Sequence, residues 1–90
     1  MGQFMELESM DLLIQAVANY QEGLDATRNT LISAANACEA AMGSDLVAQK
    51  QIGRLNAALS ELNRTSLIAA KVAKALLDDR AYVVNNIINN

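Results

Sequence analysis

Apolar residues recur at helical spacing along nearly the whole chain, with a single break close to its middle. From Met10 onward two series stand out. One is Met10, Val17, Leu24, Leu31 and Cys38, and the other is Leu13, Tyr20, Thr27, Ala34 and Ala41. Alternating steps of three and four place both on one side of a helix, as a heptad stripe. Ile14, Ala35 and Met42 widen that stripe on one flank. A second stripe runs through Ala48, Ile52, Leu55, Leu59, Leu62, Ser66, Ala69, Ala73 and Leu76. Between the two lies Ala40-Ala41-Met42-Gly43-Ser44-Asp45. Gly43 ends the first run, because glycine takes the positive φ that commonly closes a helix. Ser44 or Asp45 can then cap the next helix by accepting from one of its first N–H groups.

The pattern predicts an all-α chain folded in half, as one antiparallel two-helix hairpin over residues 1–90. Residues 1–8 read as a lead-in, followed by a helix over about 9–42, a turn at 43–44 and a helix over about 45–88. Ser9 with Asp11 offers a cap for the first helix, although helix could equally begin near Phe4. Folding symmetrically about Gly43 and Ser44 would set Gly53 opposite Ala34, with small residues letting the two backbones approach. Gly23 sits mid-helix at a cost of about 1 kcal/mol relative to alanine. It would permit close approach of another helix or a slight bend.

Beyond Thr65 the apolar surface broadens. Ile68, Val72, Leu76 and Leu77 cover more than one face, and Val83, Val84, Ile87 and Ile88 follow in pairs. A single partner helix cannot cover so wide a surface. Two helices alone enclose little interior, so a hairpin of this size without disulfide or metal is marginal by itself. The expectation is dimerisation into a four-helix bundle, either as a homodimer or as a heterodimer with another hairpin.

Composition agrees with long helices. There is no proline, and apolar residues make up 52% of the chain, too many for a disordered tail. The aromatic residues are Phe4, Tyr20 and Tyr82, so the core is built from aliphatic side chains. The net charge of -3 is unevenly divided. Residues 1–43 carry six acids and one base, giving -5, whereas residues 44–90 carry four acids and six bases, giving +2. Folding would therefore lay an acidic helix along a basic one, with Glu6, Glu8 and Asp11 near Lys74 and Arg80. Arg64 and Lys74 can also reach Glu61 and Asp78 along their own helix. The bases are spread out and lack interleaved aromatics, which argues against a nucleic-acid partner.

Candidate chemistry is sparse. The chain has no histidine, and its single cysteine, Cys38, lies on the apolar stripe. A catalytic thiol needs a base beside it, and a metal site needs convergent ligands. Glu6/Glu8 and Asp78/Asp79 are neighbours in sequence and do not converge. No phosphate loop is present, and the sequon Asn63-Arg64-Thr65 falls inside a predicted helix. The reading is a protein that is not an enzyme and carries no cofactor. No run of about 18 apolar residues is available for a membrane span. The N-terminus lacks the basic and apolar regions of a cleaved signal, and Glu6 stands where a myristoylation motif has Ser or Thr. The expected location is the bacterial cytoplasm, or outside the cell by a route that needs no cleaved signal.

Two short motifs sharpen this. Ala41-Met42-Gly43 at the turn resembles the W-x-G turn of the WXG100 (ESAT-6-like) family, with alanine in place of tryptophan. Tyr82-Val83-Val84-Asn85-Asn86 resembles that family's C-terminal Y-x-x-x-D/E export signal, with Asn86 in the place of the acid. The segment Ala37 to Asp45 also looks like the turn of small partner proteins of LXG-type toxins. The resemblance implies a helical hairpin of bacterial type VII secretion. Such a protein is itself exported, or acts as a targeting partner that binds the helical N-terminal domain of a larger toxin. It implies the turn residues Ala41, Met42 and Gly43, and a partner-binding or export surface at Ile68, Val72, Tyr82, Val83, Asn86 and Ile87. Two alternatives stand beside it. One is a structural oligomerisation module. The other is a hairpin chaperone of another secretion apparatus, although type III needle subunits usually carry a turn proline that this chain lacks.

Overall fold

A computed structural model describes residues 2–42 and 45–88, with side chains described at 6–41 and 45–88. The chain is all-helical. Helix α1 spans Gly2–Met42, helix α2 spans Leu46–Val83, and α2 continues into a π-helical turn over Val84–Ile88. Asp45 is the one described residue outside a helix. Helix α1 thus begins well before the cap at Ser9 and two residues before the alternative start near Phe4. The lead-in has no proline and includes the helix formers Gln3, Met5, Glu6 and Leu7. The turn residues Gly43 and Ser44, and the side chain of Met42, lie outside the described residues. So do Asn89 and Asn90.

Helix α2 starts on Asp45. Its Oδ1 accepts from the Val47 N–H at 2.7 Å, and its carbonyl accepts the first helical bond, from the Gln49 N–H at 2.9 Å. A side-chain bond to the second helical N–H is the geometry of an N-cap. Asp45 therefore fills the capping role that the sequence leaves open between it and Ser44.

The chain divides into two compact units. The first joins residues 1–21 of α1 to residues 67–90, and the second holds residues 22–66, including the turn region. In each, an α1 segment pairs with an α2 segment. The α2 seam follows the sequence pattern: Ile52, Leu55, Leu59, Leu62, Ser66, Ala73 and Leu76 are half-buried, and Ala48 and Ala69 are buried. It continues through half-buried Arg80 to buried Val83.

The α1 seam differs from the expectation. Met10, Val17, Leu24, Leu31 and Cys38 are half-buried, but Leu13, Tyr20, Thr27, Ala34 and Ala41 are all exposed. Their place is taken by the series one residue later, where Leu7, Ile14, Gln21 and Ala35 are half-buried. Glycines do not set the helix spacing either. A Cβ added at Gly23 or at Gly53 would meet nothing, and Gly53 and Ala34 are both exposed. Among the described residues the buried ones are Ala48, Ala69 and Val83, all on α2. So small a core leaves the hairpin marginal.

Candidate interaction surface

The displaced α1 series defines a second face. Ser9, Leu13, Ala16, Tyr20, Gly23, Thr30, Ala34 and Ala37 each precede a half-buried seam residue by one, Thr27 and Ala41 continue the series, and all ten are exposed. None carries a charge. The acids of α1 gather on the opposite flank, where Glu8, Asp11, Glu22, Asp25 and Glu39 each follow a seam residue.

In the first unit the corresponding α2 positions, each one before a seam residue, are Ile68, Val72, Ala75, Asp79 and Tyr82. Two antiparallel helices are related by a local two-fold axis normal to their common plane. Equivalent positions on both therefore lie on the same side of that plane. The first unit thus presents one face containing Leu13, Ala16 and Tyr20 from α1 and Ile68, Val72, Ala75 and Tyr82 from α2. Its large side chains are well exposed, from 44% at Val72 to 61% at Tyr82. Glu6 and Asp79 put the charges of this face toward one end.

Of the sequence-predicted surface residues, Ile68, Val72, Tyr82, Asn86 and Ile87 are exposed. Val83 is not on this surface. It is buried, 7% exposed, because it continues the α2 seam by one more step of three after Arg80. At Tyr82 and Asn86 the α-helix gives way to the π-helical turn. The Asn86 side-chain amide donates to the Tyr82 carbonyl at 3.1 Å, where an α-helix would present the backbone N–H of Asn86. Leu13 and Tyr20 complete the face from α1. Sequence reading placed them in the seam and so missed them as surface. The missed signal is that Ser9, Ala16, Gly23, Thr30 and Ala37 interleave with them into a stripe free of charge. Of the turn motif, Ala41 is exposed, Met42 ends α1 and Gly43 lies outside the described residues.

Electrostatics are local. Among the described residues, one ion pair crosses between the helices, from Arg80 Nε to Asp11 Oδ1 at 2.5 Å, inside the first unit. Glu61–Arg64 at 3.7 Å and Lys74–Asp78 at 2.8 Å run along α2. The hydrogen bond to Asp78, then its charge, raises the pKa of Lys74. A raised lysine is stabilising while protonated. Its contribution is fully present below the ordinary value of 10.5 and is lost as pH climbs through the raised one. Asp11 raises Arg80 in the same way, through its hydrogen bond and then its charge. Among the described residues no group of three His, Cys, Asp or Glu side chains could hold a metal ion, and no helix is long and apolar enough to cross a membrane.

Comparison with known protein families, curated proteins and solved structures gives no match. The fold and the exposed face therefore carry the functional argument: they define an all-α helical hairpin with an uncovered apolar side.

Proposed function

We propose that this chain is a protein-interaction hairpin of bacterial type VII secretion. It acts as a secreted factor or as a targeting partner and chaperone that binds a helical domain of a larger LXG-type toxin. The observation that carries the interaction role is the exposed face of the first unit, with Leu13 and Tyr20 beside Ile68, Val72 and Tyr82. Apolar area of this kind on a nearly coreless hairpin is stabilised by burial against another helical surface. The secretion setting rests on the turn and the Tyr82–Asn86 segment, which resemble the corresponding WXG100 features. The reading of a structural oligomerisation module is favoured by one observation, the uncharged stripe of α1, which suits helix packing without a specific client.

The test is co-expression with the helical N-terminal domain of an LXG-type toxin, followed by an export assay. The expected result is a stable complex, with toxin export reduced by Tyr82→Ala while helicity is retained. A toxin exported equally well without this chain would remove the secretion role.

A further inference from the structure

We infer that residues 7–21 of α1 form an arm that lifts off α2 while the second unit stays closed, so that the first unit has a paired and an opened form. This goes beyond the interaction role proposed above and does not depend on it. The observation that carries it is a weak stretch in the seam of α1. Between Val17 and Leu31 the seam steps are Gln21, Leu24 and Arg28, so Leu24 alone is apolar there. Residues 25–30 are all exposed. The α2 seam has no such stretch, since from Ala48 to Leu76 only Ser66 is polar. Gly23 adds poor helix propensity at the same place, and a Cβ there would meet nothing. Thr30 Oγ1 donates to the Ala26 carbonyl at 3.0 Å, a bond that slightly destabilises and bends a helix. On α2, Thr65 donates likewise to the Glu61 carbonyl at 3.1 Å, beside Ser66. The division into units falls at these same points, after Gln21 and after Ser66.

Connectivity decides which unit opens. The second unit, residues 22–66, contains the turn region and closes on itself. The first joins two segments that are linked only through the second. Opening the first leaves the second intact, whereas opening the second alone would leave the first closing a long loop, at an entropic cost. Little holds the arm down. Leu7, Met10, Ile14 and Val17 are half-buried and none of them is buried. The Asp11–Arg80 pair crosses to α2, but its side chains are 54% and 39% exposed, so water and salt weaken it. Proteins open locally where buried apolar contacts are fewest. Lifting the arm bares Ala69 and Val83, which are buried, together with Ala73 and Leu76. The arm is therefore a cover over the apolar seam of α2.

The test is amide hydrogen exchange on the unaltered chain, resolved residue by residue. A helix without tertiary packing is marginal in water, so lifting opens the amides of the arm. Residues 10–21 are expected to share one protection factor, at least tenfold below that of residues 31–40. Protection that rises gradually from the chain end would be simple fraying, and one value shared by all of α1 would be whole-chain unfolding; either overturns the arm. Filling the weak stretch with Gln21→Leu and Arg28→Leu is expected to bring residues 10–21 level with residues 31–40. A second readout uses Ala69, buried in the first unit. In a Cys38→Ala background, Ala69→Cys is treated with a disulfide reagent such as dithiobis(nitrobenzoate). Its labelling is expected to slow by the same factor as exchange of residues 10–21 when the stretch is filled. Labelling that instead follows residues 31–40 would overturn the arm as the cover over Ala69.

Discussion

Asp45 opens α2 with its side chain on the Val47 N–H, so its loss is felt at one helix end and nowhere else. Asp45→Ala is expected to cost about 1 kcal/mol in urea denaturation, and Asp45→Asn to keep most of the stability, since asparagine caps comparably. The two interior glycines are a further test at this scale. Gly53 and Gly23 sit in helix with open space where a Cβ would go. Alanine at either is expected to gain up to about 1 kcal/mol by helix propensity. A gain at Gly53 with a loss at Gly23 would mean that another chain packs on the uncharged stripe there. Asn86 is different, because its amide donates to the Tyr82 carbonyl. Asn86→Asp restores the acid of the Y-x-x-x-D/E pattern but removes the donor and adds a negative charge at a helix C-terminus. The expected cost is roughly 0.5–1 kcal/mol, read as a lower Tm. The cap was legible as a choice between two residues. The Asn86 bond was not, because the sequence carries no sign of the change to π-helix.

The two helices were unequally legible, for a reason visible in their seams. Along α2 the seam from Ala48 to Leu76 is apolar at every step except Ser66, so period and face agree. Along α1 the seam passes through Gln21 and the series position of Arg28, while Leu13, Tyr20, Ala34 and Ala41 supply a rival apolar series one residue earlier. Counting apolar positions favours the rival, and packing does not. Arg28 is exposed, as a long side chain can be when its stem covers apolar surface and its charge stays wet. The distinction can be measured. Gln21 is half-buried in the seam, so Gln21→Leu is expected to raise stability by about 1 kcal/mol in chemical denaturation. No gain would return the seam to the Leu13 series. Leu24→Asp and Leu59→Asp, both in the seam, are expected to abolish the helical signal in circular dichroism, since each forces an unpaired charge against apolar neighbours.

At the scale of the molecule, the hairpin was legible because it follows from two stripes and a break. What covers its exposed face was not, because a helix pattern reports which side is apolar and is silent on the chain that meets it. Stability supplies the missing observable. Among the described residues only Ala48, Ala69 and Val83 are buried, so the folded hairpin and its association should be one equilibrium. For a dimer that unfolds to separate chains, the apparent stability grows with concentration by mass action. The free-energy change is about 1.4 kcal/mol for each tenfold increase. Tm is therefore expected to climb steadily as the chain is concentrated over two decades and to fall as it is diluted. Ile68→Glu buries a charge in the proposed contact and leaves the seam untouched, so it should lower Tm and flatten its concentration dependence together. A Tm that does not move with concentration in the unaltered chain would show that α1 and α2 hold each other without help. The face of Leu13, Tyr20, Ile68 and Val72 would then be left to a partner of different sequence, which ligand-dependent stabilisation by that partner would reveal.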